Sequence, residues 1–447
     1  MSSGIQLPIE VLELIVDNVN SVPSEDRQAL VNCSYANQVL GVMCQKRIFR
    51  NIQIKQEVDR VAREGYLFTE ARGSDGERFL ELIKTEKSRH LASYVRNLTI
   101  NIVHALEYNH GRSELNPRNH NSTDPHFPLY AIVPRLQNLK RFAVITSDPG
   151  MAVEWDTMES RLLTFLSDIA QQVPELDFRF FLDPGMEIFS NCPSLEVLLI
   201  SAVHTNTTAP PPSKAKLRFF DFGSHSPSQV KGDWALSHFD PIYSPLDLTH
   251  LTGLKLSSIV FFASDVNSIL ALCANTLESL DLRVGLYGEC KLSYRSGFTV
   301  SRPEVTLPNL SSLHILRSLT LRTQISSYAS PDFYWSNTPT VAAILQTLPR
   351  NIYSPFKLVV DTGLLHCTPD HLARFPWSEI VDVLCQDPLS GSLATVEFTF
   401  HQRLKRYPSE SISDTNRLAE ILDRNDALRQ FSNKTIRLAT KEHDFDY

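Results

Sequence analysis

The sequence predicts an α/β chain in which a small helical module is followed by a solenoid of irregular repeats. The strands of those repeats are expected to line up in one curved parallel sheet. Three observations carry that expectation. A six-residue pattern, apolar-x-x-apolar-x-apolar, recurs along most of the 447 residues. Amphipathic helical segments stand ahead of several copies. The residues before the first copy show helical spacing of their apolar side chains.

The helical module opens with "GIQLPIEVLELIVDNV". Pro8 suits the first helical position, where its missing N–H is no loss. Glu10 then falls where a carboxylate favours the positive end of the helix. Glu10, Glu13 and Asp17 make one narrow acidic stripe, and Ile9, Val11, Leu12, Leu14, Ile15, Val16 and Val19 surround it. A surface helix buries one stripe, whereas this one needs cover on two sides. Either it packs wholly inside its own domain or its second side meets another protein. In the next segment Ser24 is an N-cap, with Glu25 and Asp26 in the first turn. Ala29, Cys33, Ala36 and Leu40 then share one helical face. Ile52 and Ile54 alternate like the start of a strand. Residues 1–55 therefore form the module and 56–92 a connecting helical segment, with a helix over 76–92 running straight into a strand.

The repeats are clearest in "VRNLTI" (95–100), "LKRFAV" (139–144), "LEVLLI" (195–200), "LRFFDF" (217–222) and "LTGLKL" (251–256). They continue with "LESLDL" (277–282), "LRSLTL" (316–321) and "LATVEF" (393–398), and "LDFRFF" (176–181) and "PFKLVV" (355–360) fill gaps. Helical segments at 161–173, 265–275, 340–348 and 378–385 precede several of them. Such a strand cannot bury its apolar face alone, so stacked copies share a continuous core over residues 93–405. The L-x-x-L-x-L core resembles that of leucine-rich repeats. The spacing, from 22 residues (198 to 220) to 44 (98 to 142), places the surplus in polar inserts at 107–128, 204–216, 223–245 and 287–304. Residues 406–447 are expected to supply a closing helix, placed to cap the open end, and an acidic tail. Residues between the core positions, namely Arg141, Asp281, Arg283, Thr320 and Arg322, point away from the core toward the concave face. Repeat proteins often bind partners there, so these are the candidate target contacts.

Composition narrows the function. A net charge of -7 and a pI near 6.1 argue against a sequence-independent grip on nucleic acid. Mean hydropathy is -0.15, and no apolar run reaches the roughly 18–20 residues that span a bilayer, so no membrane partner is expected. The start shows no basic region ahead of an apolar one, so no secretory signal is expected. Seven cysteines without a C-x-x-C pair fit reduced thiols in the cytoplasm or nucleus. His104, His110, His120 and His126 are spaced six, ten and six residues apart with no cysteine nearby, a poor match to zinc-ligand spacing. No G-x-S-x-G, G-x-x-x-x-G-K-[ST] or H-E-x-x-H motif occurs, and 16 glycines are few for a phosphate-cradling enzyme. No cofactor, metal or catalytic residue is therefore assigned, and the chain is expected not to be an enzyme.

"LPIEVLELIVDNV" followed by "ALVNCSYANQVLGVMCQKRIFRNIQI" resembles the F-box of fungal, mushroom-type F-box proteins. Leu7, Pro8, Glu10, Cys33, Ser34, Phe49 and Arg50 stand at the family's motif positions, and Leu40 occupies a position where the family often has Trp. The later "FLELIKTEKSRHLASYVRNLTI" is similar to the segment that joins the F-box to leucine-rich-like repeats. The resemblance implies a non-catalytic receptor. Its N-terminal helices would dock on the Skp adaptor of a cullin-RING ubiquitin ligase through Leu7, Pro8, Leu12, Ile15, Leu30 and Leu40. Its repeats would hold a target protein. The principal alternative is a repeat-based scaffold that uses the same concave face without the ligase, and a second is an enzyme of unfamiliar type, which would need a convergent polar pocket.

Overall fold

The computed structural model describes residues 9, 11–13, 16, 26–36, 38–61, 65–69, 75–104, 128–146, 153–155, 160–182, 185–200, 210–223, 242, 244–257, 263–284, 307–326, 338–352, 355–365, 377–386, 392–402 and 434–438. The chain divides into two units, Met1–Pro184 and Gly185–Tyr447. The division falls within the span expected to be one array.

In the first unit, Ile9, Val11, Leu12, Glu13 and Val16 are helical. Two further helices follow, α1 (Asp26–Ser34) and α2 (Gln38–Ile48). Their shared core is Val16, Leu30 and Cys44, with Cys33, Leu40, Met43 and Ile48 packed around it. Gly41 permits the close approach of α1 and α2, because a Cβ there would lie 3.0 Å from the Ser34 carbonyl oxygen. Lys46 and Arg47 sit in the last turn of α2, where the negative end of the helix favours them.

The connection that follows differs from expectation. Strand β1 (Asn51–Val61) leads into β2 (Gly65–Thr69), and these two pair antiparallel. Only then come α3 (Asp75–Lys84) and a 3-10 turn over Arg89–Tyr94. The stretch KQEVDRV is too charged to advertise a strand. It is held instead by backbone pairing, with Ile52 opposite Leu98 and Ile54 opposite Ile100 in β3 (Asn97–His104). Strands β4 (Arg141–Thr146) and β5 (Glu175–Phe178) extend the sheet, whose order in this unit is β2-β1-β3-β4-β5. All its pairings except β1 with β2 are parallel.

In the second unit eight strands lie side by side in chain order, every neighbour parallel. They are β6 (Val197–Ile200), β7 (Phe219–Phe222), β8 (Gly253–Leu256), β9 (Ser279–Arg283), β10 (Ser318–Ser326), β11 (Phe356–Leu365), β12 (Leu393–Gln402) and β13 (Lys434–Leu438). Residues at the fourth and sixth positions of the repeated pattern form buried rows in register. Leu254, Leu280, Leu319 and Leu358 make one row, and Leu256, Leu282, Leu321 and Val360 the next. Helices α6 (Ala263–Cys273), α7 (Thr338–Gln346) and α8 (Trp377–Leu384) each contribute buried apolar residues. Trp377 of α8 meets Phe398 and Phe400 of β12 edge-on, with ring centroids 5.7 Å apart in both cases. The α/β class and the parallel sheet are therefore as the sequence predicts. Helices α4 (Leu129–Ile132) and α5 (Ser160–Gln172) belong to the first unit, the latter over the expected 161–173.

Most strands begin at the third residue of their hexapeptide, and one backbone device repeats there. In several of them the carbonyl of the second residue accepts hydrogen bonds from two consecutive N–H groups at the start of the next strand. Arg218 accepts from Thr252 and Gly253, Thr252 from Glu278 and Ser279, and Glu278 from Arg317 and Ser318, all at 2.8–3.0 Å. The expected closing helix lies outside the described residues; within 406–447 the described element is β13. Residues 107–127, 224–241 and 287–304 of the polar inserts also lie outside them.

Candidate docking surfaces

The helical module leaves apolar side chains uncovered. Ile9 is 54% exposed, Val39 47%, Val42 40% and Val11 37%, whereas Val16 is 2% exposed. Five residues at 3.6 per turn put Val11 about 140° around the helix from Val16. One side of the first helix therefore enters the module core and the other does not. Ile9 shares the face of Val16 two turns earlier but stays exposed. Tyr35 is also exposed, at the end of α1.

An open groove of about 820 Å³ runs from this surface across the starts of the neighbouring strands. Ile9, Val16, Val39, Val42 and Met43 line its apolar part. Lys46, Arg47, Arg50, Arg96 and Lys140 make the remainder basic, and Glu13 is the carboxylate among the lining residues. Lys46 Nζ stands 6.0 Å from the ring centre of Tyr94. Arg96 donates from Nη1 to the Asn138 carbonyl at 3.2 Å, and Asn138 Nδ2 donates to the Ser93 carbonyl at 2.8 Å.

The expected adaptor contacts fare unequally. Leu30 is 3% exposed and belongs to the module core, so it stabilises the helices instead of presenting itself to a partner. Leu40 packs against the same core. Leu12 is half-buried. Leu7, Pro8 and Ile15 lie outside the described residues. Val39 and Val42 are not among the contacts that the F-box resemblance implies. The signal was present: Val39 and Val42 are spaced i, i+3 on a different face of α2.

The expected target contacts of the second unit lie on the sheet face opposite the buried rows, and two of them, Asp281 and Arg322, bind one another. Arg322 donates to Asp281 from Nε to Oδ1 at 2.8 Å and from Nη2 to Oδ2 at 2.7 Å. One strand further, Lys255 donates to Asp221 at 2.8 Å. Burial pushes the Asp281 carboxyl above the usual carboxylate range, against the pull of Arg322 and Lys255. Thr320 lies opposite Asp281 in register and Arg283 opposite Arg322. In the first unit, Arg141 reaches Glu175 at 3.0 Å and Asp177 at 3.3 Å. Asp177 is fully buried and also accepts from Arg179 Nε and Nη2 at 2.9 and 2.8 Å.

Little else invites chemistry. Among the described residues no group of three or more His, Cys, Asp and Glu is placed to hold a metal ion. His110, His120 and His126 lie outside the described residues. Burial pushes the Cys192 thiol up to about 11 and that of Cys273 to about 12, and both donate to backbone carbonyls in the core. Among the described residues no helix is long and apolar enough to cross a membrane.

No protein-family model matches the chain, and no curated protein matches it. Motif and geometry carry the functional reading by themselves.

Proposed function

We propose that the chain is the non-catalytic, substrate-recruiting F-box subunit of a Skp–cullin–F-box ubiquitin ligase, acting in the cytoplasm or nucleus. In this reading residues 1–55 dock on the Skp adaptor. The sheet and helices behind them are a leucine-rich-repeat-like solenoid that holds a target protein. The work is done by proximity: a lysine of the held target gains a high effective concentration near the ubiquitin-charged enzyme.

The observation that carries the reading is the pair of unlike faces on the module helices. Val16, Leu30 and Cys44 complete a core without help from Val11, Val39 or Val42, which stay exposed. Exposed apolar side chains on a small module that already has its core are what an interface centre requires. The L-P-x-E start and the Cys33-Ser34 pair support the same assignment. Chain-order parallel pairing of the strands in the second unit supports the repeat array behind it.

The test is capture of the full chain by a purified Skp adaptor. The wild type is expected to bind, and Val39→Asp/Val42→Asp to lose binding at least tenfold while keeping its melting temperature. No capture of the wild type would remove the ligase assignment and leave a repeat scaffold.

A further inference from the structure

The basic part of the groove is built by the fold. The carbonyl of Arg50 accepts from the N–H groups of Arg96 and Asn97 at 2.9 and 3.0 Å, and the carbonyl of Arg96 from those of Lys140 and Arg141 at 2.7 and 3.0 Å. Arg50, Arg96 and Lys140 therefore hold equivalent positions at the starts of β1, β3 and β4, each about one strand spacing of 4.8 Å from the next. Lys46 and Arg47 approach the same groove from the end of α2.

The same backbone position in the second unit shows what a self-sufficient row looks like. It reads Glu196, Arg218, Thr252, Glu278 and Arg317. There Arg218 pairs with Glu196 at 3.7 Å and Arg317 with Glu278 at 3.5 Å. Among the described residues no ion pair joins Arg50, Arg96 or Lys140 to a carboxylate, and Arg50 and Lys140 are exposed. Lys46, Arg50, Arg96 and Lys140 face one carboxylate among the described lining residues, and in a chain of net charge -7 they form a local field that an anionic occupant would relieve.

We propose that this groove receives an acidic peptide segment of a partner protein. An apolar side chain of the segment seats between Ile9, Val39 and Val42, and its carboxylates meet Lys46, Arg50, Arg96 and Lys140. The apolar lip and the overall negative charge argue for a peptide over a nucleic acid. Among the described lining residues Tyr94 is the one aromatic ring, and Lys46 already stands over it, so these residues offer no platform for stacked bases. A free inorganic anion would leave the apolar half unused. The inference goes beyond the ligase reading, since the chemistry of the groove is the same whichever protein supplies the segment.

The experiment is fluorescence anisotropy on the full chain, with labelled synthetic peptides that mix Asp and Glu with Leu and Ile. Matched peptides carrying Lys at every acidic position are the control, and inorganic phosphate and an oligonucleotide are the competitors. The acidic peptides are expected to bind, more weakly as salt rises, and the lysine peptides not to bind. Arg50→Gln/Lys140→Gln changes exposed side chains only and should weaken binding at least tenfold with no change in melting temperature. Val42→Ser should weaken it as well. The inference is overturned if no acidic peptide binds, if the double variant binds as the wild type does, or if phosphate or the oligonucleotide competes as well as an unlabelled acidic peptide.

Discussion

Arg322 holds Asp281 in a two-pronged grip from the neighbouring strand, although its own register partner is Arg283. Both residues were candidates for contact with a target, and the grip assigns each its first partner inside the chain. Arg322→Met should cost about 1–3 kcal/mol of stability by leaving a largely buried carboxylate without its cation. Burial already raises the Asp281 carboxyl, and loss of Arg322 raises it further. A carboxyl raised in the folded state binds protons more readily folded than unfolded, so acid favours folding at this site. The deficit of the variant should therefore be largest at neutral pH and shrink as pH falls through the raised value. Urea denaturation across that range measures it, and an unchanged midpoint at neutral pH would contradict the assignment.

Leu280 sits between Leu254 and Leu319 in its buried row and is 1% exposed. Leu280→Ala should cost about 2–5 kcal/mol, since the removed methyl groups leave a cavity that neighbouring strands cannot close. A loss near zero in chemical denaturation would mean that the row is not packed as described.

Asp247 caps the short 3-10 helix Leu248–His250, accepting from the Thr249 N–H at 3.0 Å and the Thr249 hydroxyl at 2.6 Å. Burial works against its charge, but these bonds, with His250 and Lys214, hold the carboxyl below its ordinary value. A depressed carboxyl contributes stability above its unfolded value of about 3.9 and loses it as pH falls through the folded one. Asp247→Ala should cost about 0.5–2 kcal/mol at neutral pH. Its melting temperature should converge on that of the wild type in acid, and a constant gap would refute the capping role.

Alkylation of the native protein near pH 8, mapped by peptide mass spectrometry, should modify the exposed Cys385 and spare Cys192 and Cys273. Their thiols are buried and titrate at about 11 and 12, so almost no thiolate is present. In denaturant all three should react alike. Native labelling of Cys273 would mean that the seat of α6 against the sheet opens readily.

The strands were legible because their signal is local. Each hexapeptide carries its own apolar positions, and every one of the ten segments from "VRNLTI" to "LATVEF" contains a strand. Strands β1 and β2 were not legible beyond Ile54, since KQEVDRV has no apolar alternation and is held by the backbone of β3. On the module, spacing predicts a first helix that needs cover on two sides, and the F-box resemblance offers Leu30 as a contact without deciding whether it faces inward; in the structure it is 3% exposed. Which stripe of α1 turns inward is set by where Val16 and Cys44 lie.

The sequence by itself determined the class of the chain: helices first, then parallel strands with Leu, Ile and Val at fixed intervals, because burial of those side chains depends only on their spacing. Tertiary structure alone decided which charges are spent. Asp281 and Arg322 are 41 residues apart and meet only because their strands are neighbours. Arg50, Arg96 and Lys140 precede three separate strands and form one basic row only because two carbonyl-to-amide steps bring those strand starts together. Electrostatic pairing acts over a few ångströms, and distance along the chain says nothing about it until the register of the sheet is set.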